Sequence, residues 1–303
     1  MKRKVIQLAG KTLVVSLPHK WAKKYGVKKG DEIEVEEEER RLVVKAQGEA
    51  KKAAKFIDLS DLDTMLHRTM SALYKAGYDE VEIKYDTPKQ HAVIMNVINK
   101  SSVGFEVLRQ GQKLLLVRNL SDLHSEEFDN LLRRFFLALL LSADDSLEYI
   151  KQGNNAGMEE IVLRDHLMNK YADLCRRMIN TRGFDEIRKT TTYYFICEQL
   201  EKIGDGYKDL MKFMIKEKIT KASKETQELM TNLNQFLRRV YELFYDFDLK
   251  KLEAFGIFSD KLRAQFTSLS ETKSIKELRL NHYLFIIYSL IYDMNGALMT
   301  AKV

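Results

Sequence analysis

Proline and cysteine are nearly missing from this chain. Its 303 residues hold two prolines, Pro18 and Pro88, and two cysteines, Cys175 and Cys197. Beyond Pro88 no residue removes a helical donor or clashes with the preceding turn, so long helices can run unbroken through the second half. The cysteines have no CxxC spacing and follow no secretory leader. They read as small apolar core residues in a reducing compartment. Long apolar runs are scarce too. Phe135–Leu141 and Tyr283–Tyr292 fall short of the roughly twenty residues that a membrane span needs, and Lys11 interrupts any signal-peptide core. A cytoplasmic protein with no membrane insertion is expected.

Catalytic signatures are also absent. No P-loop, GxSxG, HExxH or dinucleotide fingerprint occurs. None of the six histidines has a Glu three residues before it, which excludes the paired Glu-x-x-His set of a ferritin-like di-iron oxidase. No enzymatic activity is expected. The most telling absence is of one charge sign. The first thirty residues contain nine Lys or Arg and no Asp or Glu, whereas seven of the next nine, Asp31 to Glu39, are acidic. Residues 1–55 carry a net +7 against +6 for the whole chain, leaving −1 for the remainder. A positive surface confined to one small segment is the electrostatic footprint of a nucleic-acid contact.

Periodicity divides the chain into three regions. Over 1–46, short apolar runs (Val5–Leu8, Leu13–Leu17, Ile33 and Val35, Leu42–Val44) predict four strands broken at Ala9-Gly10-Lys11 and Lys29-Gly30-Asp31. One short helix lies between the second and third, with Pro18 in its first turn and Gly26 at its end. Such a piece is too small to bury a core alone and is expected to pair with a second copy. Residues 50–122 mix types. A helix over 59–76 capped by Ser60, a strand over 81–85, a helix over 88–100 and a hairpin turning at Gln110-Gly111 suggest a small α/β connector domain. Residues 125–303 repeat apolar positions at three and four, predicting helices near 125–151, 158–181, 185–217, 222–247, 249–269 and 275–301. The last connection falls at Ser270–Thr272. Six long helices on short connections make an all-α antiparallel architecture of two three-helix units.

The N-terminal block carries Gly10-Lys11-Thr12, Val15-Ser16-Leu17-Pro18 with Trp21, Tyr25-Gly26-Val27, and Gly30-Asp31 before Ile33 and Val35. In these residues it resembles the AbrB/SpoVT swapped-hairpin DNA-binding family over about 3–45. The resemblance implies two chains interlaced into one β-barrel, a homodimer, with DNA contacted from the first hairpin and the short helix. The residues so implied are Arg3, Lys4, Lys11, Lys20, Lys23 and Lys24.

A second motif lies at Cys197–Asp209. Glu198, Glu201, Asp205 and Asp209, spaced three, four and four, line one helical face. Like charges at that spacing cost about 0.2–0.5 kcal/mol per pair. Gly204 and Gly206 in the same two turns cost about 1 kcal/mol each relative to Ala. A bound cation would compensate, and carboxylates without His or Cys suit Mg²⁺, Ca²⁺, Mn²⁺ or iron better than Zn²⁺. The alternative is a solvated acidic face flanked by Lys202 and Lys208. Glu201-Lys202-Ile203-Gly204-Asp205 resembles the Glu-Arg/Lys-Ile-Gly-Asp segment of PhoU, the phosphate-uptake regulator, at the third helix of a three-helix repeat. That likeness implies a metal on the E-x-x-x-D motif, with Glu198, Glu201, Asp205 and Asp209 as candidate ligands. The second repeat departs from the pattern, with Ser289 where the Glu should stand and Asp293 alone. The domain order resembles fused phosphate-uptake regulators found chiefly in archaea. It implies a DNA-binding transcriptional regulator of phosphate homeostasis, or alternatively an adaptor that restrains a phosphate transporter or signalling partner without touching DNA.

Overall fold

The computed structural model describes residues 2–8, 10–38, 41–46, 53–121, 127–184, 187–269 and 274–302. The chain divides into two compact units, Met1–Ala53 and Ala54–Val303.

In the first unit, β1 (Ile6–Leu8) pairs antiparallel with β2 (Thr12–Val14), Ile6 opposite Val14. Gly10, at φ 85, makes the turn, a left-handed conformation that a side chain disfavours. α1 (His19–Tyr25) follows. Pro18 is its N-cap rather than its first helical residue, and Gly26 closes it in the left-handed conformation at φ 71. β3 (Ile33–Glu38) and β4 (Arg41–Ala46) form a second antiparallel hairpin, its tip outside the described residues. The two hairpins are separate sheets, so one chain closes no barrel among the described residues. None of the described residues of this unit is buried.

The second unit begins with a layer of β5 (Ala54–Asp58), α2 (Leu66–Lys75), β6 (Glu80–Lys84), α3 (Pro88–Ser101), β7 (Phe105–Gly111) and β8 (Leu114–Asn119). The sheet order is β5-β6-β8-β7, with β5 and β6 parallel and the other pairs antiparallel. One face is apolar, with Val81, Ile83, Leu115 and Val117 fully buried in a core shared with α2 and α3. The other face is polar, where Arg118 grips Glu80 at 2.6 Å. This alternation marks a sheet covered on one side.

Three sequence expectations are corrected here. β5 was not foreseen, and α2 starts at Leu66, not near 59, so Ser60 is no cap. The reason lies at buried Gln90. It completes a capping box with Thr87, and its Nε2 donates to Ser60 O (2.8 Å) and Leu62 O (2.9 Å). Those carbonyls are thereby claimed from outside, and residues 59–62 stay irregular. The hairpin turns at Gln112-Lys113 rather than at Gln110-Gly111, since Gly111 pairs with Leu114 and Lys113 takes φ 58.

Six helices follow: α4 (Glu127–Gln152), α5 (Asn155–Arg182), α6 (Ile187–Lys216), α7 (Lys224–Tyr245), α8 (Leu249–Leu269) and α9 (Ile275–Lys302). They match the periodicity closely, with the Ser270–Thr272 connection outside the described residues. α4, α5 and α6 pack together, as do α7, α8 and α9, and contacts of α6 with α9 and α4 with α7 join the triplets. One core runs through all six, holding Phe136, Cys175, Cys197, Leu200, Phe236, Phe255 and Ile291. Burial, then a hydrogen bond that its S–H donates to Cys197, pushes the Cys175 thiol up, so it stays protonated. By length and composition α9 alone among the described helices could cross a membrane, but its Leu284, Ile287, Ile291 and Met294 are packed into this core.

α2 and α3 lie against α5. Arg177 of α5 donates to Tyr74 O at 2.8 Å and sits 5.0 Å over the Tyr74 ring. Asn180 donates to Lys75 O at 2.7 Å. A Cβ on Gly77 would stand 2.6 Å from the Thr181 Cγ2, so glycine is needed for this approach as well as for its φ of 86°.

Candidate functional site

Two places gather charged side chains. In the first unit, Arg3 and Lys4 precede β1, Lys11 stands at the hairpin turn, and Lys20, Lys23 and Lys24 project from α1. All six are exposed. Arg3 Nη1 donates to Ser16 Oγ at 3.4 Å across the hairpin, and Lys24 Nζ lies 5.0 Å over the Tyr25 ring. Among the described residues none of the six forms a salt bridge, which leaves their charges free for an external anion. Trp21 and Tyr25, one turn apart on α1, pack with ring centroids 5.4 Å apart at a tilt of 51°.

The second place is a cavity of about 1070 Å³ between α2, α3, α5 and α6. Glu198, Glu201 and Asp205 of the predicted stripe line it, whereas Asp209 is exposed outside it. Each neighbour of Glu201 along the stripe is held by a cation of the chain. Glu198 pairs with Arg176, which also holds Asp173 at 3.0 Å. Asp205 pairs with Lys208, which reaches Asp165 at 3.0 Å. Glu201 makes no hydrogen bond or ion pair among the described residues. Burial, then the Asp205 charge, pushes its carboxyl up to about 7. Burial likewise raises Asp173 against the pull of Lys75 and Arg176, and Asp165 against that of Lys208.

This geometry answers the expectation of a metal at the stripe differently. Arg176 and Lys208 supply the compensating charge from within the protein. Among the described residues no group of three or more His, Cys, Asp or Glu is placed to hold a metal ion. The donor set therefore does not fit the metal that the PhoU resemblance implies. The glycine cost has its own compensation. A Cβ on Gly206 would come 2.6 Å from Ile287 Cγ1, so this glycine lets α9 approach α6, while Gly204 has only ordinary contacts, the nearest at 3.5 Å. In the second triplet Asp293 is exposed, and Ser289 donates to Phe285 O at 2.9 Å. Arg176 and Arg177 were not singled out from the sequence, and Lys208 only as a flanking charge. The twin arginines on an otherwise apolar turn (Cys175 to Met178) were the available signal.

Residues 6–52 match the family model of the antidote-toxin recognition protein MazE, a bacterial antitoxin. In fold, the chain is similar to the phosphate transport system regulatory protein PhoU from Streptococcus pneumoniae, with a TM-score of 0.51 and 15% sequence identity, covering 59% of this chain and 94% of that one. At that identity the likeness is one of fold. No curated protein matches the chain significantly in sequence. The chain thus joins a MazE/AbrB-like N-terminal segment to an α/β layer and a PhoU-like helical bundle.

Proposed function

We propose that this protein is a cytoplasmic, homodimeric, DNA-binding transcriptional regulator of phosphate uptake, with the helical bundle as its sensing part. The observation that carries the reading is the state of the first unit. Val5, Ile6, Leu8, Leu13, Val35 and Leu42 are each more than half exposed, from 52% to 70%. A segment that buries none of its apolar side chains lacks the driving force to hold its own shape. A second copy interlaced through the hairpins would cover these positions and double the cationic surface. Two copies of Arg3, Lys4, Lys11, Lys20, Lys23 and Lys24 would then face the two strands of a duplex, giving phosphate contacts that fix register. Nuclease footprinting of the purified full chain across its own upstream region tests this, with a protected two-fold site expected. A monomer in light scattering at micromolar concentration, or no protection at low salt, contradicts it.

A second reading has one observation in its favour. The outer face of α9 leaves Phe285, Ile286 and Tyr292 about 40% exposed beside its core-facing side. An adaptor that restrains a transporter or signalling partner through such a face would keep that role with the first unit removed, whereas the regulator would lose its effect.

A further inference from the structure

The cavity between α2, α3, α5 and α6, at about 1070 Å³, lies at the upper end of small-molecule pockets, roughly 300–1,000 Å³, and has room for a nucleotide. Its walls are polar apart from Val162, Leu163 and Leu167. Seven Lys or Arg and five Asp or Glu line it. Four of the acids are already engaged, by Lys75, Arg176 and Lys208. The cations are not matched in the same way. Arg68 of α2, Lys100 of α3, Lys170 of α5 and Lys202 of α6 line the cavity and make no ion pair or hydrogen bond among the described residues.

Each of the four helices therefore contributes one unpaired, solvent-exposed cation to a single open cleft. Their positions span residues 68 to 202, so no local sequence pattern imposes the convergence. Asn96, Asn99 and Ser101 add neutral donors from α3. The ion-paired Asp173–Arg176–Glu198 network also lines it, with Arg176 at 4% and Asp173 at 8% side-chain exposure. Four unpaired cations beside acids that are already paired suit an anion bearing several charges. A divalent cation would face the four free positive charges.

We propose that this cavity binds a small phosphorylated polyanion of nucleotide size. The inference rests on the reading of the helical bundle as a sensor and names its ligand class. Such a ligand would bridge the α/β layer and the bundle, because its contacts come from both.

Titration calorimetry on the full chain tests it, with ATP, ADP, inorganic phosphate and citrate as separate probes. ATP or ADP is expected to bind at least tenfold more tightly than inorganic phosphate or citrate. Lys170→Ala with Lys202→Ala should weaken the nucleotide at least tenfold and leave the unliganded melting temperature unchanged, since both side chains are exposed. Arg3→Ala with Lys4→Ala and Lys11→Ala should bind nucleotide as the parent does. DNA binding is measured separately, so its loss would sink the regulator reading without touching the cavity. Failure of both nucleotides to bind overturns the inference. So does inorganic phosphate or citrate binding as tightly as ATP, or a cavity variant that binds like the parent.

Discussion

Glu201 stands between two ion-paired carboxylates without a cation of its own, and the cost of that position depends on pH. Its folded value of about 7 lies above the ordinary 4.5, so the native state keeps a proton that the unfolded chain gives up. The stability this proton confers is complete below about pH 4.5 and is lost as the pH rises through about 7. Glu201→Gln should therefore match the parent near pH 4 and exceed it near pH 8, by on the order of 2 kcal/mol in denaturant unfolding. Superimposable stability–pH curves would mean that the carboxylate is solvated. The stripe itself was legible from its spacing of three and four. Its compensation was legible only in part, because Lys208 shares the helix with the stripe whereas Arg176 comes from α5, about which spacing along α6 says nothing.

At the scale of elements, the α6–α9 contact turns on one glycine of two. Gly204→Ala meets only ordinary contacts and gains helix propensity, so it should stabilise by up to about 1 kcal/mol. Gly206→Ala drives a methyl toward Ile287, which is fully buried, and should destabilise by about 1–3 kcal/mol despite the same propensity gain. Thermal melting of the two variants should show opposite signs. Equal shifts would contradict the close packing of these helices. The same scale shows why some elements could be read and others not. The six long helices announce themselves through proline-free apolar repeats. β5 hid because Ile57 is its one partly buried side chain, too little for an alternation. The start of α2 depends on Gln90, about thirty residues away, and so escaped any local rule. Gln90→Ala would leave the Ser60 and Leu62 carbonyls without their donor and should cost about 1–3 kcal/mol. A loss below about 0.5 kcal/mol in denaturant unfolding would show that water replaces it freely.

For the whole molecule, the account assigns dimerisation and DNA contact to the first unit and ligand sensing to the second. The charge block and turn glycines on which the first assignment rests were legible because they are local features of the chain. The cavity was not, since four helices far apart in sequence build it. The central claim is that the cations of residues 3–24 neutralise DNA phosphates. The most direct measurement is the salt dependence of DNA affinity for the full chain and for Arg3→Ala with Lys4→Ala and Lys11→Ala. Each phosphate contact adds about 0.9 to the slope of log K against log salt. If all three side chains of both protomers make contact, the variant slope should be shallower by about 5, with affinity lowered alike for every sequence. Parallel salt lines for parent and variant, at equal affinity, would contradict the account.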